Sequence, residues 1–130
     1  MPSLRILIIE DHPLNRQLAR AILEQRGHQV SEAVDVEGGW LELQQGNPQI
    51  ILMDIQLPGG GGEYLLRKIR SNPSTARLPV IAITAYAMQG DRERFLDMGF
   101  DGYLTKPLDT RAFGPAIEAF SQAPGETPVQ

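Results

Sequence analysis

Two carboxylates, Glu10 and Asp11, follow an apolar run that ends in LII, and a third, Asp54, closes IILMD. The hydroxyl of Thr84 ends VIAIT, and the ammonium of Lys106 follows GYLT immediately before Pro107. Taken singly, each residue has a structural reading: a turn cap for Asp54, support of a helix N-terminus for Glu10 and Asp11, a strand residue for Thr84, a solvated charge for Lys106. Brought to one edge of a sheet, they have a chemistry. Three carboxylates within about 4–6 Å of one another repel strongly even at an effective dielectric near 20, so the group needs a cation to stay ionised. Oxygen donors without His or Cys suit a hard ion, and two or three carboxyl groups with a carbonyl and waters suit octahedral Mg²⁺. Such an ion beside a free aspartate oxygen makes a phosphoryl-transfer site. Asp54 is the expected nucleophile, Lys106 neutralises charge on the phosphoryl oxygens, and Thr84 bonds one of them.

The elements that must position these groups alternate between two periods. Short β-rich runs at residues 4–9, 30–33, 50–54, 78–85 (LPVIAITA) and 102–105 (GYLT) read as strands. Between and after them the period is helical. Leu14, Leu18, Ala21 and Ile22 are spaced for one face of a first helix that ends at Gly27, and residues 36–45 form a second despite Gly38 and Gly39. A third helix is expected over residues 64–71 and a fourth over 91–98, closed by Gly99; Phe113, Ala116, Ile117 and Phe120 mark the buried face of a fifth. Strands that are continuously apolar are buried on both faces. Five of them interleaved with five helices predict an α/β fold, a five-stranded parallel sheet doubly wound with helices on both faces, with active groups at the carboxyl ends of the strands. A single domain over residues 1–121 and a disordered tail over 122–130 are expected.

Composition removes several alternatives. With 130 residues, a net charge of −4, no cysteine, and neither a Lys/Arg cluster nor an apolar run of spanning length, the chain offers no disulfide or thiolate-metal site. It also predicts no nucleic-acid surface and no membrane insertion, and the reading is of a cytoplasmic protein. Trp40 is expected to pack on the second helix, and His12 and His28 are turn and strand-entry residues rather than metal ligands.

The segments LIIEDHPLNR, ILMDIQLPG, PVIAITAYAMQGD and GYLTKPLD, with Asp54 30 residues before Thr84 and 52 before Lys106, resemble the response-regulator receiver domains of two-component signalling over residues 4 to about 121. The TAYAMQGD segment is most like single-domain cell-cycle regulators and hybrid-kinase receivers. The resemblance implies the flavodoxin-like chemotaxis fold, with Asp54 as phosphoacceptor and Glu10, Asp11, Asp54 and the Gln56 carbonyl holding Mg²⁺. It further implies Lys106 on the phosphoryl group, Thr84 as switch hydroxyl, Tyr103 as the aromatic that changes rotamer with it, and a cis Lys106–Pro107 bond. The implied partners are a histidine kinase or histidine phosphotransferase and a downstream protein that reads the surface of helix four, strand five and helix five. Oligomeric state is left open. Because little chain follows residue 121, no DNA-binding output is expected, and the chain is read as a signalling phosphoacceptor rather than an enzyme.

An aspartyl-phosphate phosphatase of the haloacid dehalogenase type would use the same nucleophile, ion, hydroxyl and lysine, but needs an acid two residues after the nucleophile, where Gln56 stands. A flavin module would need a hydroxyl- and amide-rich phosphate loop where EDHPLN is acidic. One departure from the receiver pattern remains. Gly60 and Gly61 replace a bulky apolar residue and an aspartate in the loop after strand three, while Gly62 matches the family glycine. A turn needing positive φ at one or two places does not require the four glycines 59–62, so the loop is expected to be mobile without metal, and Gly60→Met with Gly61→Asp to raise stability where φ permits.

Overall fold

The computed structural model describes residues 3–85 and 90–120. The expected tail over 122–130 lies outside the described residues. Five strands, β1 (Arg5–Ile9), β2 (Gln29–Ala33), β3 (Ile50–Asp54), β4 (Val80–Thr84) and β5 (Gly102–Thr105), alternate with α1 (Pro13–Gln25), α2 (Val36–Gly46), α3 (Gly61–Ser71), α4 (Asp91–Met98) and α5 (Phe113–Phe120). All strand pairings are parallel, in the order β2-β1-β3-β4-β5.

The period of two along each strand divides its side chains between two cores. Leu7, Ile9, Ile51, Met53, Val80 and Ala82 meet Leu43, Leu65, Leu66, Ile69 and Phe95 from α2, α3 and α4. On the opposite face Ile6, Ile8, Ile50, Leu52, Ile81 and Ile83 meet Ala19, Leu23, Phe113 and Ile117 from α1 and α5. The central strands β3 and β4 are buried at every position, whereas β2 and β5, at the edges, are not. This is the doubly wound sheet that the continuous apolar runs predicted. Between β1 and β3 the chain changes its direction of travel across the sheet, the point at whose carboxyl ends open α/β sheets bind their ligands.

Two expectations are corrected. The first concerns α1, whose buried residues are Ala19 and Leu23, while Leu14 and Leu18 are 70% and 38% exposed. The helix carries a wide apolar arc, and the sheet covers only the stripe through Ala19 and Leu23, with Ile22 at its border. Spacing alone identified an apolar face, and of its four residues only Ile22 packs against the core.

The second concerns the glycine loop. α3 begins at Gly61, three residues before the expected start. Gly59, Gly60 and Gly61 have φ of +94°, +129° and +89°, and a Cβ on Gly62 would lie 2.6 Å from the Asp54 carbonyl oxygen. Every one of the four therefore has a geometric reason, and the premise that the turn has glycines to spare does not hold. Side chains at 60 and 61 would be strained in this conformation, so the expected stabilisation reverses sign.

The second helix forms as read, and Gly39 shows why it tolerates glycine: a Cβ there would approach Ile9 Cδ1 to 2.8 Å and Leu65 Cδ2 to 3.1 Å. Asp35 caps this helix by accepting the Gly38 N–H at 2.7 Å. Trp40 packs against the core with the Lys68 ammonium 4.8 Å from its ring centre.

Candidate functional site

The carboxyl ends of β1, β3, β4 and β5 lie side by side, because the register sets Ile9 opposite Met53, Asp54 opposite Ile83 and Thr84 opposite Thr105. The backbone carries the alignment one step further, with the Lys106 N–H donating to the Thr84 carbonyl at 2.8 Å and the Ile55 N–H to the Ile83 carbonyl at 3.2 Å. Glu10, Asp11 and Asp54 each bring a carboxylate oxygen into one group in which these atoms lie within 4.8 Å of one another. Glu10 and Asp54 are 2% and 6% exposed, and Asp11 faces solvent. The Lys106 Nζ reaches into the group, 2.7 Å from Glu10 Oε1 and 3.0 Å from Asp54 Oδ2. Backbone amides hold the other carboxylate oxygens: the Gln56 N–H donates to Asp54 Oδ1 at 3.0 Å, and the His12 N–H to Glu10 Oε2 at 3.0 Å. The Lys106–Pro107 bond is cis.

Counting Glu10, Asp11, Asp54 and Lys106, the pocket holds three potential negative charges against one positive. Burial raises the Glu10 carboxyl above its ordinary value; hydrogen bonds from Lys106 and the His12 amide oppose this without reversing it, and the Asp54 charge adds to it. For Lys106, burial alone would favour the neutral amine, but its bonds to Glu10 and Asp54 outweigh burial and the ammonium is held above its usual value. Ionised carboxylates are thus crowded beyond what one ammonium balances. A divalent cation fits this donor set: the ligands are all oxygen, two are buried, and none is a His or Cys.

Of the other residues singled out by sequence, Thr84 is buried at the end of β4. Tyr103 stands on β5 opposite Ala82 and is half-buried, its ring 5.5 Å from that of Phe95 on α4. It packs with the core beneath α4, not with the carboxylates. A residue that sequence reasoning missed is Arg16. Its Nη1 donates to the Glu10 carbonyl at 2.9 Å and to the Asp11 carbonyl at 3.5 Å, and its Nε to Glu32 Oε1 at 2.8 Å. The only signal available was a basic residue in the second turn of the helix that follows two acids.

Comparisons with known proteins bear on the family and the fold. The family model described as the response regulator receiver domain matches residues 6–118. The chain is 39% identical over 116 residues to a gliding motility regulatory protein of Myxococcus xanthus, covering 88% of this chain and 15% of that protein. It is 36% identical over 115 residues to the phosphate regulon transcriptional regulatory protein PhoB of Escherichia coli, covering 50% of it, and 34% identical over 118 residues to the polar-differentiation response regulator DivK of Brucella ovis, covering 94%. The chain thus spans half or less of the first two and nearly all of the third. Among solved structures, the receiver domain of the sensor histidine kinase PA1611 of Pseudomonas aeruginosa, with a magnesium ion coordinated in its active-site cleft, superposes with a TM-score of 0.82 at 32% identity over 92% of this chain and 98% of that one. A response regulator of Chloroflexus aurantiacus shares the fold at a TM-score of 0.86 and 22% identity, covering 92% of this chain and 98% of that one. No helix among the described residues is long and apolar enough to cross a membrane. The chain belongs to the response regulator receiver domains, the phosphoacceptor modules of two-component signalling.

Proposed function

We propose that Asp54 takes a phosphoryl group from the phosphohistidine of a kinase or a histidine phosphotransferase in the cytoplasm, and that the phosphorylated surface signals to a protein partner. The observation that carries this reading is the setting of Asp54: a buried carboxylate at the carboxyl end of β3, with one oxygen held by the Gln56 amide and the other 3.0 Å from Lys106 Nζ. An Asp54 oxygen attacks phosphorus as the P–N bond to the donor imidazole breaks, and the imidazole leaves with the bonding pair. Lys106, which bridges Glu10 and Asp54 before transfer, moves its ammonium onto a phosphoryl oxygen, and the Thr84 hydroxyl donates to another. Glu10, Asp11, Asp54 and the Gln56 carbonyl would hold Mg²⁺, which when bound neutralises charge on the transferring group; the magnesium-bearing cleft of the PA1611 receiver supports this assignment.

The link from chemistry to output runs along β4 and β5. Drawing Thr84 toward the phosphoryl group alters packing next to Tyr103, whose ring rests on Phe95 of α4, and so biases the face of α4, β5 and α5. The receiver unit proposed over residues 1–121 takes in the whole family match at residues 6–118, in keeping with the near-complete coverage of DivK. Gln56 stands where a phosphatase of this chemistry would need its general acid, so the aspartyl phosphate is formed and lost without turnover of a separate substrate.

Phosphotransfer profiling tests this reading. A radiolabelled kinase or phosphotransferase of the source organism should pass its label to the chain within minutes in Mg²⁺ and not in EDTA. Failure to accept label from every such donor would contradict it.

A further inference from the structure

The structure assigns Arg16, held in place by Glu32, as the positioning residue that fixes the backbone from which the Glu10 and Asp11 carboxylates project. This inference rests on the proposed reading of those residues as cation ligands.

Glu10 directly follows β1, its amide donating to the Ala33 carbonyl at 3.0 Å, and α1 begins at Pro13. In the turn between them the Glu10 carboxylate takes the His12 N–H, and the Glu10 and Asp11 carbonyls, past the end of β1, need donors of their own. Arg16 supplies them, with Nη1 2.9 Å from the Glu10 oxygen and 3.5 Å from the Asp11 oxygen. The Arg16 side chain is only 16% exposed, and its guanidinium is not free to swing, because Glu32 on β2 accepts from its Nε at 2.8 Å. Glu32 is in turn fixed by Arg20, 2.6 Å away on the next turn of α1. A planar fork gripped at one end by a carboxylate therefore grips two consecutive main-chain carbonyls at the other. Those carbonyls belong to two of the three carboxylate residues proposed as cation ligands.

Two physical roles for Arg16 predict opposite signs. If it acts only as a nearby positive charge, it repels a divalent cation, and removing the charge tightens binding. If it positions the ligands, removing it loosens the turn and weakens binding despite the relief of repulsion. A lysine keeps the charge but not the fork, so it separates the two roles further.

The test is calorimetric titration of the intact chain with MgCl₂, comparing wild type, Arg16→Gln and Arg16→Lys after circular dichroism has shown each to be folded. Positioning predicts that both variants bind Mg²⁺ about 10-fold more weakly, the loss typical when a group behind a metal ligand is removed. A merely structural role would shift the thermal midpoint and leave the affinity of the folded molecules unchanged. Unchanged or tighter binding in Arg16→Gln, or wild-type binding in Arg16→Lys, overturns the inference while the reading of the site stands. Wild-type protein that takes up no Mg²⁺ overturns both. Should neither Arg16 variant fold, Glu32→Gln decides: it leaves Arg16 in place but weakens its anchor, and undiminished affinity there overturns the inference.

Discussion

Two polar clusters sit at opposite ends of the molecule and are built from similar groups to opposite effect. In the first, at the carboxyl ends of the strands, three carboxylates surround one ammonium, and burial pushes Glu10 upward. In the second, Glu118 of α5 accepts two parallel bonds from Arg26, both at 2.7 Å, and faces His28 Nε2 at 2.7 Å. The His28 Nδ1 accepts the Leu4 N–H at 3.1 Å, which leaves the Nε2 proton to point at Glu118. Arg26 lies across Gly114, where any Cβ would collide with its Cδ. Arg26 pulls the Glu118 carboxyl down to about 2 against the effect of burial, with His28 assisting. Here charge is matched, and the bonds from Arg26 and His28 to Glu118 join α5 to the α1–β2 corner. The clamp works with the stability of the fold. The acidic pocket works against it, and the difference marks where the chain gives up stability for binding.

The largest effect that would sharpen this contrast is expected at Lys106. Lys106→Ala should slow phosphorylation by acetyl phosphate about 100-fold, the scale of losing one preorganised charge donor, while Mg²⁺ affinity stays the same or rises. Initial rates at saturating Mg²⁺ would show it; a rate within a few-fold of wild type would break the account of the pocket.

At the clamp the loss is one of stability. Glu118→Gln removes the charged partner of both Arg26 and His28 and should cost about 2–3 kcal/mol in urea unfolding at neutral pH, with phosphorylation unaffected. Because the folded value of Glu118 lies below its ordinary 4.5, its contribution is present above about pH 4.5 and lost as pH falls toward 2. The wild-type advantage over Glu118→Gln should therefore shrink through that window. A constant difference from pH 7 to pH 2 would remove the charge pairing as its cause.

The loop beside the pocket should respond next. Gly60→Met places a side chain at φ +129° against the Tyr64 ring, and Gly61→Asp one at +89°, so each should destabilise by about 1–3 kcal/mol in thermal unfolding. A rise in midpoint would mean that the loop adopts another conformation in solution. The smallest effect is expected at Glu10. Its folded value is raised, so the fold favours the protonated form, and that contribution is present below about pH 4.5 and fades as pH rises through the raised value. Glu10→Gln should leave the metal-free midpoint at neutral pH unchanged or slightly higher, the opposite of Glu118→Gln. A large drop would show that Glu10 is structural.

The sequence made the strands and the pocket legible for one physical reason. The inner strands of a parallel sheet are buried on both faces, so β1, β3 and β4 read as almost unbroken apolar runs, and the polar residues that end or follow the runs fall on the active edge. Glu10, Asp11, Asp54, Thr84 and Lys106 could all be found this way. The buried face of α1 could not, because Leu14, Leu18 and Ala19, Leu23 are equally good stripes until the sheet chooses one. The four glycines looked excessive because three successive positive φ values and a contact with the Asp54 carbonyl belong to a single turn whose shape no residue count reveals. Arg16 with Glu32 and Arg26 with Glu118 pair between different elements, 16 and 92 residues apart in the chain, and such pairs are set by topology rather than local pattern.

The central claim is that Asp54 is the phosphoryl acceptor of this pocket. The direct measurement is to treat the chain with phosphoramidate in Mg²⁺, reduce the product with borohydride, which converts an aspartyl phosphate to homoserine, and map the site by peptide mass spectrometry. The account predicts one modification, at Asp54, absent in EDTA and absent in Asp54→Asn. Modification at another residue in the wild-type chain, or undiminished labelling of Asp54→Asn, would contradict it.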